Sequence, residues 1–103
     1  MKIGLYGKAF GTDYNELMQN VLLLLKESGI NIMIYEPFWK DIKHCIYEDF
    51  EYELFNTYDE IKNNIDILFS FGGDGTILDS VPLIRDSGIP VLGINTGTLG
   101  FLA

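Results

Sequence analysis

Short apolar runs alternate with amphipathic stretches along the chain, and the alternation predicts a series of strands and helices. Residues 2–6 read as a first strand, followed by a glycine-containing loop over 7–12. Asp13 with Glu16 three positions on forms a capping box, which predicts a helix start. Leu17, Val21, Leu24 and Leu25 then fall on one helical face. Gly29 stands where a left-handed C-terminal cap is expected. A second strand follows over 30–35. Residues 37–49 do not declare themselves, although a short helix fits there. Residues 52–55 read as a short third strand. Thr57 and Glu60 make another capping box, opening a brief helix to residue 64. Residues 65–71 are almost continuously apolar, as expected of a strand buried on both faces. Residues 75–87 are helix-like, with Gly88 after them, and Pro82 inside that stretch should kink it or shift its start. A fifth strand is expected over 90–95, then a loop rich in Gly and Leu to the end.

Strands that alternate with helices predict an α/β fold: an open, mostly parallel, Rossmann-like sheet with helices on both faces. Ligands of such sheets bind beyond the carboxyl ends of the strands, near the point where strand order reverses. Each glycine-rich loop here follows a strand, so 7–11, 72–75 and 97–100 are expected along one sheet edge. Length agrees with one α/β domain over residues 1–103: a chain of 103 residues is one domain or part of one, and buries somewhat over ~60% of its unfolded surface. With 48% hydrophobic and 21% charged residues it has the apolar surface to offset the entropy of ordering. The apolar end, Leu99-Gly100-Phe101-Leu102-Ala103, carries no polar tail, which suggests a piece of a longer chain or a core that needs a partner.

Charge narrows the ligand class. Seven Lys and Arg against 15 Asp and Glu leave a net charge of −8, which argues against nucleic acid and against an anionic membrane surface. A nucleotide is still compatible, because local backbone N–H groups and a bound cation override an unfavourable global field. Cys45 is the single cysteine, so no intrachain disulfide forms, and a reduced, cytoplasmic setting fits. The N-terminus turns polar too soon for a signal peptide. The strongest apolar run near it, residues 21–25, is far short of the ~20 residues of a membrane span.

The chemistry concentrates in Gly72-Gly73-Asp74-Gly75-Thr76, directly after the buried strand. Glycines there let the backbone turn and let a ligand lie on the main chain. Gly75 and Thr76 open a helix whose first N–H groups favour anionic oxygens. Asp74 would be repelled by a phosphate unless a cation intervened, but facing a hydroxyl it acts as general base or orienter. An aspartate of ordinary pKa, ~3.9, is a weak base at neutral pH, so positioning matters as much as proton affinity. The bland alternative is a tight turn with Asp74 as helix cap, which does not require three flanking glycines. A second motif is Asn95-Thr96-Gly97-Thr98-Leu99-Gly100-Phe101-Leu102. Asn95 and Thr96 either hydrogen-bond a ligand or close the strand, and Phe101 either faces a base or packs the loop. The glycines at 4, 7 and 11 match neither the dinucleotide fingerprint nor Walker A spacing; Lys8 reads as a solvated loop lysine within reach of a phosphate. His44-Cys45 lacks a second ligand pair at metal spacing, so no metal site is assigned from the residues.

Taken together, the two motifs resemble those of the NAD kinase family, over the whole chain, which looks like that family's N-terminal α/β domain. The fold so implied is phosphofructokinase-like. The glycine-Asp turn alone is shared with phosphofructokinases, diacylglycerol kinases and sphingosine kinases; the second motif at this distance is more specific. The resemblance implies an enzyme, a phosphotransferase that carries a phosphoryl group from ATP or polyphosphate to the adenosine-ribose 2′-hydroxyl of NAD, giving NADP, with magnesium or another divalent ion. It implies Asp74 as proton acceptor, Gly72, Gly73, Gly75 and Thr76 against nucleotide phosphates and ribose, Asn95 as a nucleotide contact, and Phe101 near adenine. It implies a homo-oligomeric full-length protein, with NAD and ATP as its ligands. Two departures stand out. Asp79 occupies a position where many members carry a basic residue. The family's Asn-Glu motif and β-rich C-terminal domain are absent from the chain, so the chain alone is expected to be inactive. The rival readings are a lipid kinase of the diacylglycerol or sphingosine type, disfavoured by the missing Gly-Asn-Asp pattern, and a nucleotide-binding regulatory module without a donor site.

Overall fold

The computed structural model describes residues 1–8 and 15–94, with the backbone alone for Asp74. The order is β1 (Lys2–Gly7), α1 (Asn15–Glu27), β2 (Asn31–Tyr35), α2 (Glu36–Ile42), a 3-10 turn (Lys43–Cys45) and β3 (Glu53–Phe55). Then come α3 (Tyr58–Ile61), β4 (Ile67–Phe71), α4 (Asp74–Asp79), α5 (Val81–Ile84) and β5 (Val91–Ile94). Among the described residues the five strands form one sheet in the order β3-β2-β1-β4-β5, and every pairing is parallel. Strand order reverses between β1 and β4, and there Gly7 lies opposite Phe71.

The helices cover both faces. Ile3, Leu5, Ile32, Ile34 and Phe71 point to one face, where α1 and α2 bring Met18, Leu22, Leu25, Phe38 and Ile42. Tyr6, Met33 and Leu68 point to the other, against Ile61 of α3 and Leu83 of α5. This alternation within strands is the period-2 geometry of the pleat. Each fully buried phenylalanine of the core, Phe38, Phe55 and Phe71, contributes roughly 2–3 kcal/mol by leaving water.

Local chemistry sets the boundaries. Gly29, at φ 71, ends α1 in a Schellman motif, with the Ile30 N–H on the Leu25 carbonyl and the Gly29 N–H on that of Lys26. That use of Ile30 is why β2 begins at Asn31. Both halves of the capping box at Thr57 and Glu60 are formed at the start of α3. The predicted face of α1 is shifted by one position: Met18, Leu22 and Leu25 are buried, Leu17 is half-buried, and Leu24 is exposed. Residues 21–25 are apolar all round, so periodicity within them does not choose a face. The capping box at Asp13 lies outside the described residues. The single helix expected over 75–87 is two helices. Pro82 has no N–H to donate and sits in the first turn of α5, so α4 stops at Asp79 and a new helix begins.

Candidate functional site

The turn after β4 is held from three sides. Gly72 takes φ +143, and a Cβ added there would lie 2.9 Å from the Thr76 Cβ, so both backbone and space require glycine. Its N–H donates to the Ile94 carbonyl at 3.0 Å, tying the turn to β5. Gly73 is the extended residue before α4, and the Thr76 N–H donates back to the Gly73 carbonyl at 3.1 Å. α4 is seated by Ile77, whose Cδ1 lies 2.6 Å from where a Gly93 Cβ would be. Ser80, fully buried, donates its hydroxyl to the Ile77 carbonyl at 2.6 Å and closes the helix.

Gly73 and Gly75 differ from these packed glycines. Neither has positive φ, and a Cβ on either would meet no described atom within 4 Å. The fold of the described residues asks for glycine at neither position. Open space on both sides of Asp74 lets a ligand approach the backbone closely.

Across the switch point, β1 ends beneath α2. A Cβ on Gly7 would come 2.6 Å from the ring of Phe38, which stacks on Phe71 with centroids 5.7 Å apart. Lys8 follows, and its Nζ lies 3.0 Å from Asp79 Oδ2 on α4. The hydrogen bond and charge of that carboxylate raise the Lys8 pKa above its ordinary value. Tyr6, two residues earlier on the same face, is buried, with its ring 4.9 Å from that of Tyr35. Burial pushes the Tyr6 phenol up, Lys8 opposes this, and Asp79 and Tyr35 add to it. The Tyr6–Tyr35 ring pair and the Lys8–Asp79 ion pair thus lie beside the glycine turn.

Of the residues expected at the site, Gly72, Gly73, Gly75 and Thr76 lie together at the carboxyl end of β4, and Asp74 is the first residue of α4. Asn95, Phe101 and the rest of the second motif lie outside the described residues. Lys8 is the exposed loop lysine the sequence reading expects, and it also pairs with Asp79 across the sheet edge. The pairing joins positions that only the β1–β4 adjacency brings together, so strand order was the signal, and local sequence does not carry it. Open space of about 400 Å³ lined by Lys2, Asn31, Ile32, Glu51, Tyr52 and Glu53 lies at the opposite, amino-terminal edge of the sheet.

Residues 4–103 match the family model described as the ATP-NAD kinase N-terminal domain. The chain belongs to the NAD kinase family. Similar to this family member are an NAD kinase of Christiangramia forsetii, 42% identical over 103 residues, and one of Flavobacterium johnsoniae, 34% identical over 105 residues. Each alignment takes in 100% of this chain and 35% of the relative, so the chain spans about a third of those NAD kinases. Among solved structures, yeast NADH kinase complexed with NADH superposes with a TM-score of 0.74 at 26% identity. That match covers 100% of this chain and 31% of the yeast chain. The NAD kinase fold thus agrees with the parallel sheet anticipated from the alternating pattern.

Proposed function

We propose that this chain is the N-terminal α/β domain of an enzyme that transfers a phosphoryl group from ATP to the adenosine-ribose 2′-hydroxyl of NAD, giving NADP. The observation that carries this reading is the pair of glycines at 73 and 75. They bracket Asp74 at the switch-point edge and leave space that the described fold does not use. A dinucleotide laid on that backbone brings its ribose to Asp74, which accepts the hydroxyl proton as the oxygen attacks phosphorus. Gly72 and Thr76 hold the turn in shape, and Gly73 and Gly75 let phosphate and ribose come close. Asn95 and Phe101 supply a polar contact and a face for adenine. Phosphoryl transfer asks for position and charge neutralisation more than covalent work, and a turn of this kind provides position.

Among the described residues no group of three or more His, Cys, Asp or Glu side chains converges to hold a metal ion. Magnesium in this reading arrives on the donor's phosphates, as that ion commonly does, and neutralises charge there. The acceptor half of the site is completed by protein beyond this chain, which by itself is expected to be inactive. We further take the full-length enzyme to be a cytoplasmic homo-oligomer. The unpaired, buried Cys45 fits a reducing compartment, and exposed Leu78, Val81 and Leu92 offer apolar surface for assembly.

Asp74→Asn in the full-length enzyme tests the assignment. It keeps the shape and removes the proton acceptor, so turnover should fall by about 10²–10⁴ while NAD binding, followed by calorimetry, survives. Undiminished turnover would remove Asp74 from the role of base.

A further inference from the structure

We propose that Lys8 is a phosphate-binding residue of this site, and that Asp79 is its resting partner, from which the ammonium transfers to a nucleotide phosphate oxygen. The inference rests on the functional reading above and adds a binding residue to it.

Three observations support it. Lys8 is the residue directly after β1, and β1 and β4 are the adjacent strands whose carboxyl ends frame the switch-point crevice. Gly7 lies opposite Phe71, so Lys8 stands beside the start of the Gly72 turn. Other cations of this acidic chain are engaged elsewhere: Lys2 with Glu53, Lys26 with Asp49, Lys62 with Asp59, and Lys43 and Arg85 over the rings of Trp39 and Tyr58. Lys40 belongs to α2. Of the seven cations, Lys8 alone follows directly on a strand whose carboxyl end frames the crevice. Its pairing is also weak enough to exchange. Both side chains are about half exposed, at 55% and 47%, and an ion pair so placed contributes little net stability. A phosphate group carries more charge than one carboxylate and presents several acceptor oxygens, so it competes well for the same ammonium.

The contrary role is charge neutralisation alone, with Lys8 cancelling the repulsion that Asp79 would exert on an incoming nucleotide. A charge cycle in the full-length enzyme separates the two. Lys8→Met should raise KM for one nucleotide about tenfold with kcat nearly unchanged, the pattern of a contact equal in ground and transition states. The nucleotide whose KM moves, NAD or ATP, identifies the source of the phosphate. Lys8→Arg should restore most of the loss, because the cation is kept. Asp79→Asn should leave KM equal or lower, since a competing acceptor is removed. The decisive variant is Lys8→Met with Asp79→Asn: KM stays raised if Lys8 binds phosphate. Its return to the wild-type value, or an unchanged KM in Lys8→Met alone, overturns the proposal. Should the wild-type enzyme fail to phosphorylate NAD, the functional reading falls, and calorimetric binding of tripolyphosphate to wild type and Lys8→Met still decides the present one. Equal affinities refute it, and weaker binding by the variant, with a flatter dependence on ionic strength, supports it.

Discussion

At the end of β1, the space that a side chain on Gly7 would need is filled by the ring of Phe38. One strand over, just past the end of β4, the same space at Gly73 and again at Gly75 holds no described atom. The two places are neighbours on one sheet edge, yet the first glycine answers to the protein's interior and the others to nothing inside it. A glycine demanded by packing and a glycine left over by packing look alike in a sequence. The difference shows only when the volume around each is known, and it marks the β4 side of the crevice as the side with unfilled space.

The comparison breaks most directly at the open glycines. Gly73→Ala should lower kcat/KM of the full-length enzyme by about a hundredfold, the scale of a misplaced substrate, while urea denaturation finds stability within about 0.5 kcal/mol of wild type. Gly75→Ala should go further in the same direction. Its helical position favours alanine by up to about 1 kcal/mol, so the variant should be more stable and less active. If either variant turns over normally, the open space is not ligand space. At Gly7 the expected effect is on folding: Gly7→Ala should cost about 1–3 kcal/mol by pressing on Phe38. Adding Phe38→Leu should recover part of that loss, since the two sites share one volume.

The smallest effect belongs to a region that neither kind of glycine touches. Glu60 accepts hydrogen bonds from the Asn56 N–H at 2.7 Å and the Thr57 N–H at 3.1 Å, and these hold its carboxyl below the usual range. A carboxylate whose pKa is lowered by folding adds stability above its unfolded value, about 4.3, and loses it as pH falls through the folded value. Thermal melts from pH 6 to 3 should therefore show a slightly steeper acid decline for wild type than for Glu60→Gln. Turnover at neutral pH should be the same in both.

Much of the fold was legible because its causes are local. The near-continuous apolar run ending at Phe71 marked a strand covered on both faces, and Gly29 and the Thr57–Glu60 pair marked helix ends by chemistry confined to a few residues. The face of α1 was not legible, because leucine at four successive positions satisfies any stripe, and only Ile3, Ile34 and the other facing side chains choose among them. The break between α4 and α5 was half legible: Pro82 announced a disturbance, but placing it at Ser80 required the Ile77 carbonyl that the serine caps. At the site, the glycine turn could be named from its residues. The Lys8–Asp79 pair could not, because its partners are joined by a strand adjacency and by no motif.

That adjacency has a consequence for biosynthesis. Residues 7 and 71, 64 positions apart, must meet before the crevice has two walls. As the chain leaves the ribosome, β1, β2 and β3 can assemble first, and β1 is then a bare sheet edge. Such an edge invites pairing with other chains until β4 docks against it. The nascent protein is thus most exposed to aggregation in the interval before residues 67–71 emerge. Docking of β4 closes that edge and brings the two walls of the crevice together.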